Sequence, residues 1–446
     1  MRRLMCTPVA ANLGCCCRVF PNRWQPMVIK GGFMPDRAIL VSVMDRRHPV
    51  DRNQVQETAG LVAAAGGLVV DYESQQRSDL RRGLGKGALE RLNQKVRDQS
   101  ANLVVSDIDL SPSMAAHWAA ALPSETRVVD RTQVILDIFA RRATSREGKL
   151  QVELAQLRYL LPRLSALGTH PDRAGGGIGT RGPGETALEL DRRRIRTRIQ
   201  VLQDALNRVS AARQTRRQKR HDREIPVVAL VGYTNVGKST LFNRLTGDVS
   251  VAADALFVTL DPTVRKVVVP NFGPALIFDT VGFVDRLPHT LVTAFHATLD
   301  EVREANLLLE VVDGSDPHLE QHRQATEHVL QEVGAGELPR LVVYTQSDKV
   351  PVAQRGSGQL WVSAVTDEGI DELRHALGQN LSAWRQKLTV FAPWSDSELW
   401  AAVSRDATIL QRHDGGNGAT LTILVPPARV AYFNGYCTLD SSGSEC

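Results

Sequence analysis

The sequence predicts an α/β fold class in three folded parts: an N-terminal parallel α/β domain with an antiparallel helical hairpin, a second α/β domain, and a small C-terminal α+β domain. Three observations predict it. Short β-type runs alternate with segments of helical period over residues 37–143, which is typical of a parallel sheet. Two runs of heptad spacing follow, and a strand, glycine loop and helix pattern begins near residue 225.

The predicted boundaries divide the 446 residues into six segments. The three folded parts among them agree with the three domains expected at about 150 residues each. The first segment has a basic start, but its apolar stretch is broken, so a disordered extension upstream of a start at Met34 is favoured over a secretion signal. The segments are a disordered or mis-assigned N-terminal extension (1–33), the N-terminal α/β domain (34–145), the helical hairpin with a glycine-rich basic loop (146–223), the second α/β domain (224–383), the α+β domain (384–437) and a tail (438–446).

Composition limits the class of protein. A hydrophobic content of 43% and a charged content of 23% are ordinary for a globular protein. No apolar run approaches the roughly 18 residues that span a bilayer. The net charge of +5 is mild, so a nucleic-acid partner has to be argued from where the charge lies. We expect a cytoplasmic protein that is monomeric when free, with peripheral membrane association as the alternative.

The cysteines lie in the tails of the chain. This distribution excludes a disulfide framework or a zinc site inside the folded body and fits a reducing compartment. They are Cys6, Cys15, Cys16, Cys17, Cys437 and Cys446.

The N-terminal domain is predicted from four strands and the helices between them. The strands are "RAILVSV", "GGLVVDY", "ANLVVSD" and "RVVD", and "VQETAGLVAAA" and "GALERLNQKV" have helical period.

Two heptad runs predict the hairpin. Each keeps one apolar seam on a helix, and Pro162 should kink or end the first helix. Two helices joined by a loop form an antiparallel hairpin; packing of both on the main core is the alternative. The runs are Leu150, Leu154, Leu157, Leu161 and Leu164, and Ile195, Ile199, Leu202, Leu206 and Val209.

The hairpin concentrates positive charge. Its loop, residues 169–193, is rich in glycine, and the helix predicted over residues 191–223 holds twelve Arg and Lys against three acids. A stretch of charged residues is usually only a solvent-exposed face of a helix. The excess of positive charge at the tip of this hairpin instead favours contact with the phosphate backbone of a nucleic acid, and RNA is the expected partner. The candidate contacts are Arg173, Arg181, Arg192, Arg193 and Arg194.

The segment "GYTNVGKS" predicts a phosphate-binding loop, since it fits Gly-x-x-x-x-Gly-Lys-Ser. Backbone N–H groups and the lysine hold phosphates, and the serine hydroxyl can bind Mg²⁺. The apolar "VVALV" before it and the helical "TLFNRLTG" after it place the phosphates at a helix N-terminus. The predicted contacts are Gly232, Tyr233, Thr234, Asn235, Val236, Gly237, Lys238 and Ser239, with Lys238 also catalytic.

Two further segments predict a nucleotide switch. Asp279 ends an apolar strand, where it can hold a water of the Mg²⁺ shell, and Gly282 can offer its N–H to the γ phosphate. Thr259 can reach Mg²⁺ only while the γ phosphate holds its segment in place. Ser239 and Thr259 are the predicted Mg²⁺ ligands, and Thr259 and Gly282 are also catalytic candidates. The predicted contacts are Phe257, Val258, Thr259, Leu260, Asp261, Asp279, Thr280, Val281 and Gly282.

Base recognition is predicted at "TQSD", where a guanine site usually has Asn-Lys-x-Asp. Asp348 can accept the N1–H and N2–H of guanine. Thr345 is a poorer substitute for the asparagine amide, and Gln346 has a shorter, uncharged stem. A lost partner costs about 0.5–1.5 kcal/mol, so weaker or less exclusive guanine binding is expected. The predicted contacts are Thr345, Gln346, Ser347 and Asp348, with Ser363, Ala364 and Val365 closing over the guanine O6.

The chain resembles the HflX-type GTPases, ribosome-associated members of the Obg/HflX group of P-loop GTPases. The resemblance covers about Arg37 to Phe433 and is carried by "RATSREGKLQVELAQLRYLLPRL", "GGGIGTRGPGETALELDRRRI", "GYTNVGKSTLFNRLT", "LFVTLDPTVR" and "DTVGFVDRLPHTLVTAFHATLDE". It implies a P-loop GTPase domain over 224–383 and binding to the large (50S) ribosomal subunit, with the hairpin toward ribosomal RNA. It also implies a role in ribosome splitting or rescue, protein synthesis or ribosome biogenesis.

Phe283 stands where many GTPases have the glutamine that orients the attacking water. Slow intrinsic turnover is therefore expected, with the water positioned by the switch backbone or by a group that the ribosome supplies.

A second glycine-lysine segment, "GLGKG" at residues 83–87, lacks the P-loop spacing. It is either a turn or a second nucleotide site. The second case would make the chain an ATP-dependent RNA or ribosome remodelling factor. A further alternative is a binding module in which nucleotide is a weak structural ligand.

Overall fold

The computed structural model describes residues 35–45, 52–77, 83–167, 183–221, 225–247, 256–257, 263–284, 301–382 and 385–437. The predicted extension (1–33) and tail (438–446) lie outside these ranges. The chain divides into two compact units, residues 1–141 with 156–201, and residues 142–155 with 202–446. Within the described ranges, no helix combines the length and the apolar character needed to cross a membrane.

The N-terminal sheet has four parallel strands, as the sequence predicts, and their order is β2-β1-β3-β4. All four residues of β3 are buried, because helices cover both faces of a parallel sheet. Its core contains Ile39, Leu92, Val104 and Trp118. The elements are β1 (Asp36–Asp45), α1 (Arg52–Ala64), β2 (Gly67–Arg77), α2 (Lys86–Asp98), β3 (Leu103–Ser106), α3 (Pro112–Ala121), β4 (Arg127–Asp130) and α4 (Arg131–Arg142).

Two long helices follow, α5 (Arg146–Leu167) and α6 (Pro183–His221). Residues on both predicted seams are buried, among them Leu154, Leu164 and Leu202. The prediction that the loop extends to residue 193 is wrong, since α6 already begins at Pro183. Proline fits the first position of a helix because its fixed φ is helical and its missing N–H has no helical partner there.

The first long helix continues beyond Pro162, which was predicted to kink or end it. The next residue, Arg163, is bonded on both sides: its guanidinium donates to the Tyr159 carbonyl at 3.1 Å and to the Asp130 carboxylate at 2.8 Å. The Tyr159 hydroxyl also donates to Asp130, at 2.6 Å. Burial raises the pKa of Asp130, and Arg163 opposes that effect. These bonds fasten the helix around the proline to the end of β4.

The second sheet has six strands in the order β10-β9-β8-β5-β7-β6. β6 is antiparallel to β7, and the other neighbouring pairs are parallel. The carboxyl ends of the parallel strands meet along one edge, where ligands bind in open α/β sheets. The elements are β5 (Val227–Val231), α7 (Lys238–Thr246), β6 (Thr263–Val269), β7 (Gly273–Asp279), β8 (Leu307–Asp313), α8 (Leu319–Glu332), β9 (Arg340–Thr345), β10 (Leu360–Trp361) and α9 (Ile370–Ser382).

The C-terminal part is an antiparallel sheet of order β11-β13-β12 with two helices, which confirms the predicted α+β unit. Leu388, Leu399, Leu421 and Phe433 lie in its core. The sequence analysis did not identify β12, whose residues are almost all exposed, because an exposed edge strand lacks an apolar alternation. The elements are β11 (Gln386–Pro393), α10 (Ser397–Asp406), β12 (Thr408–Asp414), β13 (Gly418–Val425) and α11 (Val430–Asn434).

The "GLGKG" segment forms a turn before α2. Gly83 has a φ of 58°, and a Cβ there would lie 2.9 Å from the Met114 side chain and 3.0 Å from the Trp118 indole nitrogen. Leu84 is buried in the core, and the Gly85 N–H donates to Gln75 at 2.7 Å. This packing supports the interpretation of the segment as a turn.

Two glycine substitutions in this segment should have opposite effects on stability. Gly83→Ala places a Cβ in strained backbone against Trp118 and should lower the free energy of unfolding by about 1–3 kcal/mol. Gly87→Ala lies in α2, where the added Cβ would have the Arg91 guanidinium 4.0 Å away, and should raise it by about 0.5–1 kcal/mol. Thermal unfolding followed by circular dichroism measures both. Equal shifts of the midpoint in the same direction would contradict the described packing.

Candidate nucleotide-binding site

The phosphate-binding loop joins β5 to α7 along the carboxyl edge of the second sheet. Gly232 follows β5 with a φ of 147°, and a Cβ there would lie 2.3 Å from the Val311 carbonyl oxygen of β8. The loop can therefore lie this close to β8 only with glycine. Gly237 precedes α7, which begins at Lys238. The open N–H groups and positive dipole end of this helix suit an anion.

Lys238 lies folded back over the loop. Its ammonium donates to the Gly232 carbonyl at 3.0 Å and to the Tyr233 carbonyl. Burial lowers the pKa of Lys238 to about 8, although the Asp279 carboxylate opposes that effect. The lysine thus keeps a buried charge on loop carbonyls, from which it can turn to a phosphate.

Ser239 and Asp279 come together beside the loop. The Ser239 hydroxyl, at the start of α7, donates to the Asp279 carboxylate, at the end of β7, at 2.7 Å. Two oxygen-bearing side chains at this distance fit Mg²⁺, which prefers hard oxygen ligands completed by water and substrate phosphates.

The segment after Asp279 pairs with the phosphate-binding loop. The Thr234 N–H donates to the Phe283 carbonyl at 2.7 Å, and the Phe283 N–H donates to the Gly232 carbonyl at 3.1 Å. Gly282, the residue before Phe283, lies close to the phosphate-binding loop: a Cβ there would be 2.8 Å from the Thr234 Cα and 3.0 Å from the Lys238 ammonium. Gly282 is thus packed directly against the lysine.

The side chains next to this contact are buried. The Phe283 ring is 1% exposed, so it packs in the core and offers no hydrogen bond to a water. Thr280 donates to the Leu230 carbonyl at 2.5 Å, and Val281 is buried. The buried Thr234 hydroxyl has no hydrogen-bond partner within the described part of the chain.

The loop after β9, residues 345–350, is here called the first base loop. The Thr345 hydroxyl lies 2.7 Å from the Val236 carbonyl and 3.0 Å from the Val312 carbonyl. It therefore connects β9 with the phosphate-binding loop, a connection that the sequence analysis did not foresee. Gln346 has a φ of 60° and donates its amide to Asp313. Asp348 is exposed, which leaves its carboxylate open to a base.

Two predicted contacts in this region have other partners. The Ser347 side chain is fully buried and its hydroxyl donates to Glu368 at 2.6 Å, so it does not face a ligand. Ser363 accepts from the N–H groups of Val365 and Thr366 at 3.3 and 3.2 Å. These bonds shape the loop over residues 363–369, here called the second base loop. Ala364 is half-buried and Val365 is 81% exposed.

The remaining predicted residues are divided between described and undescribed parts of the chain. Phe257 is buried, with a φ of 57°. Arg193 and Arg194 are exposed on α6, and Arg192 is partly exposed. The predicted residues outside the described ranges are Val258, Thr259, Leu260, Asp261, Arg173 and Arg181.

Sequence reasoning missed two groups of residues around the site. The Tyr233 ring of the phosphate-binding loop stacks on His322 of α8 with ring centroids 3.9 Å apart. Arg355 and Glu368 bond to the first base loop. Each group joins residues from different elements, so no local spacing in the sequence could have identified it.

Three family models match successive regions of the chain. Residues 52–140 match a model described as "GTP-binding GTPase N-terminal", and residues 142–220 match "GTP-binding GTPase Middle Region". Residues 227–346 match "50S ribosome-binding GTPase". A crystal structure of a GTP-binding protein from the archaeon Sulfolobus solfataricus with GDP is 23% identical, with a TM-score of 0.42, and the match covers 78% of this chain and 99% of that chain.

Two relatives named GTPase HflX are similar over most of the sequence. The one from Caldanaerobacter subterraneus subsp. tengcongensis is 44% identical over 379 residues, 84% of this chain and 88% of the relative. The one from Escherichia coli K12 is 43% identical over 374 residues, 82% of this chain and 87% of the relative. Because identity of this level extends over most of both chains, the chain belongs to the HflX family of GTPases and is a GTP-binding enzyme that hydrolyses GTP.

Proposed function

We propose that this GTPase binds GTP with Mg²⁺, hydrolyses it slowly, and associates with the large (50S) ribosomal subunit, acting in ribosome splitting or rescue, protein synthesis or ribosome biogenesis. The observation that carries the proposal is the match of residues 227–346 to a model described as a 50S ribosome-binding GTPase, on a chain with a strongly basic helix. A ribosomal partner would place the protein in the cytoplasm.

The phosphate-binding loop and Lys238 would bind the phosphates. The first N–H groups of α7 have no partner inside the helix, and two loop carbonyls hold the Lys238 ammonium. Ser239 and Thr259 would hold Mg²⁺, with Asp279 accepting from a water of its shell; the ion supplies positive charge to the phosphate oxygens. The 2.7 Å contact between Ser239 and Asp279 supports this assignment.

Gly282 would detect the γ phosphate. Its backbone lies against Thr234 and Lys238, so a group bound to Lys238 lies within reach of the Gly282 N–H. The bonds between Phe283 and the phosphate-binding loop would have to adjust to this contact. The adjustment would carry the presence of the third phosphate to the rest of the segment.

Slow hydrolysis follows from the buried position of Phe283. Its ring is in the core, so no side chain from this position can orient a water. We infer that the backbone of the switch segments, with Thr259 in the segment over residues 257–261, or a group from the ribosome would orient it.

Basic residues of α6 would contact ribosomal RNA. Arg192 and Arg194 form ion pairs within the helix, with Glu189 at 3.4 Å and with Asp191 at 3.2 Å. Exposed pairs of this kind contribute little to stability, so both arginines can exchange their carboxylates for phosphates, as can the exposed Arg193. Arg173 and Arg181 are proposed as contacts from the preceding loop.

Nucleotide binding should take up protons near pH 8. Lys238 has a pKa of about 8 without nucleotide, and phosphate charges should raise it, so GDP binding at pH 8 should take up about half a proton. Since the bound state favours the protonated lysine, affinity should fall as the pH rises above 8. Calorimetry in buffers of different ionisation enthalpy measures the uptake. At pH 7 the uptake by the lysine should fall to about a tenth of a proton, and equal uptake at both pH values would contradict the assignment.

Gly282→Ala should separate GTP from GDP binding. The added Cβ would clash with Thr234 and Lys238 and displace the N–H proposed to meet the γ phosphate. We expect GDP affinity to fall less, because GDP lacks the phosphate that this N–H would meet, and GTP-analogue affinity and single-turnover hydrolysis to fall by about tenfold more than GDP affinity. Fluorescent nucleotides and single-turnover assays measure these quantities. Gly87→Ala, whose Cβ meets open space, is the control, and equal loss of GDP and GTP binding would count against a γ-phosphate role.

Charge reversal on α6 should abolish association with the large subunit. We expect the triple change of Arg192, Arg193 and Arg194 to Glu to remove GTP-analogue-dependent co-sedimentation in sucrose gradients, because three positive charges at the proposed contact become negative. GTP hydrolysis without ribosomes should be unchanged.

The control for this experiment carries the same change in net charge elsewhere. Arg97, Arg374 and Lys387 lie on α2, α9 and β11, and their reversal to Glu should leave co-sedimentation intact. Equal loss in both triple variants would point to overall charge. Equal sedimentation of the wild type with GDP, with the GTP analogue and without nucleotide would refute the nucleotide dependence.

A further inference from the structure

The two base loops lie side by side at the carboxyl ends of β9 and β10. The Val362 N–H donates to the Tyr344 carbonyl at 2.8 Å, and the Ser347 N–H donates to the Val362 carbonyl at 3.2 Å. The pairing of the two strands thus continues into the start of the first base loop. Any movement of one loop then affects the other.

Glu368 connects the two loops directly. One of its carboxylate oxygens accepts from the buried Ser347 hydroxyl at 2.6 Å, in the first base loop. Its backbone carbonyl accepts from the Ser363 N–H at 2.9 Å, in the second. Glu368 therefore joins the loop that contains Asp348 to the loop proposed to close over the base.

Arg355 completes this connection with three donors. Its guanidinium donates to the other carboxylate oxygen of Glu368, to the Ser347 carbonyl at 2.7 Å and to the Val350 carbonyl at 3.1 Å. The side chain is only 15% exposed. The hydrogen bonds from Arg355 and from Ser347 lower the pKa of Glu368. A planar guanidinium can serve three acceptors in fixed directions, which a lysine cannot do.

The residues of the first base loop show why the bonds from Arg355 and Glu368 matter. The Thr345 hydroxyl has one proton for the carbonyls of Val236 and Val312, whereas an asparagine amide has two N–H groups. Gln346 adopts a left-handed conformation, which is unfavourable for a residue with a side chain. The loop thus has one donor fewer toward the phosphate-binding loop than an asparagine would supply, and Arg355 adds three donors on the other side.

We propose that Arg355, Glu368 and Ser347 form a bracket that holds the two base loops in the geometry that selects guanine. The proposal rests on the proposed roles of Asp348 and the second base loop in base recognition. Arg355 is a positioning residue, because it acts on the base through the loops.

The test compares GDP with ADP as probes for the full-length chain. Arg355→Ala should weaken GDP binding by about tenfold, as expected when the hydrogen bonds that order the loops are lost. ADP binding should stay within about twofold, since it depends on the phosphates alone. The ratio of the two affinities therefore falls. The KM for GTP should rise while kcat at saturation is kept.

Two further variants distinguish positioning from a general structural role. Arg355→Lys should restore part of the selectivity, because lysine keeps the charge next to Glu368 but loses the carbonyl bonds. Arg355→Ala combined with Glu368→Gln should lose no more selectivity than Arg355→Ala alone, since both act through one bracket. Arg374→Ala, which removes an arginine paired with Asp371 at 3.2 Å on α9, is the matched control and should change nothing.

The outcomes separate this proposal from the one on which it rests. If the wild-type chain binds GDP no better than ADP, the proposed guanine recognition fails and the bracket with it. If the wild type selects GDP and Arg355→Ala keeps that selectivity, only the bracket is overturned. Should Arg355→Ala fail to fold, Ser347→Ala decides: a fall in the GDP-to-ADP ratio supports the bracket, and an unchanged ratio overturns it.

Discussion

The buried ammonium of Lys238 is the interaction on which the candidate site depends. A charged group in the interior requires polar partners, and the chain supplies the carbonyls of Gly232 and Tyr233. These carbonyls can face inward because Gly232 lies against β8, where a Cβ would meet the Val311 carbonyl at 2.3 Å. The same ammonium is in contact with Gly282. One buried charge therefore lies between the phosphate-binding loop and the segment proposed to respond to the γ phosphate.

The base side of the site is held together by different interactions from the phosphate side. The phosphate side uses backbone groups, a helix end and one lysine, all within a short stretch of sequence. The base side is assembled from side-chain bonds between two loops, with Thr345 tied to the Val236 carbonyl and Ser347 tied to Glu368. Loss of the Arg355 or Ser347 bonds would change the geometry of the base loops, whereas the Thr345 bond also reaches the phosphate-binding loop. The proposed bracket of Arg355, Glu368 and Ser347 would therefore act mainly on selectivity for the base.

The sequence predicted the features that depend on local order along the chain. Strand and helix alternation, the glycine-lysine spacing and the acid at the end of β7 are local patterns, and the fold class and family follow from them. Tertiary bonds cannot be read from such local patterns. Pro162 was expected to kink or end a helix; α5 continues to Leu167, so the helix does not end there, and the neighbouring Arg163 bonds to Tyr159 and Asp130. Predicting that outcome would have required knowing that Asp130 lies next to the helix.

The contacts around the unusual base motif are likewise not visible in the sequence. From the sequence, a threonine in place of asparagine was expected to lose a hydrogen bond, and that expectation considered the residue alone. In the fold, the Thr345 hydroxyl lies within bonding distance of two carbonyls, and Arg355 donates to three acceptors on the other side of the loop. The cost of a departure from a motif thus depends on the contacts around it. A chain that supplies such contacts can keep a base site whose motif, taken alone, indicates a weaker one.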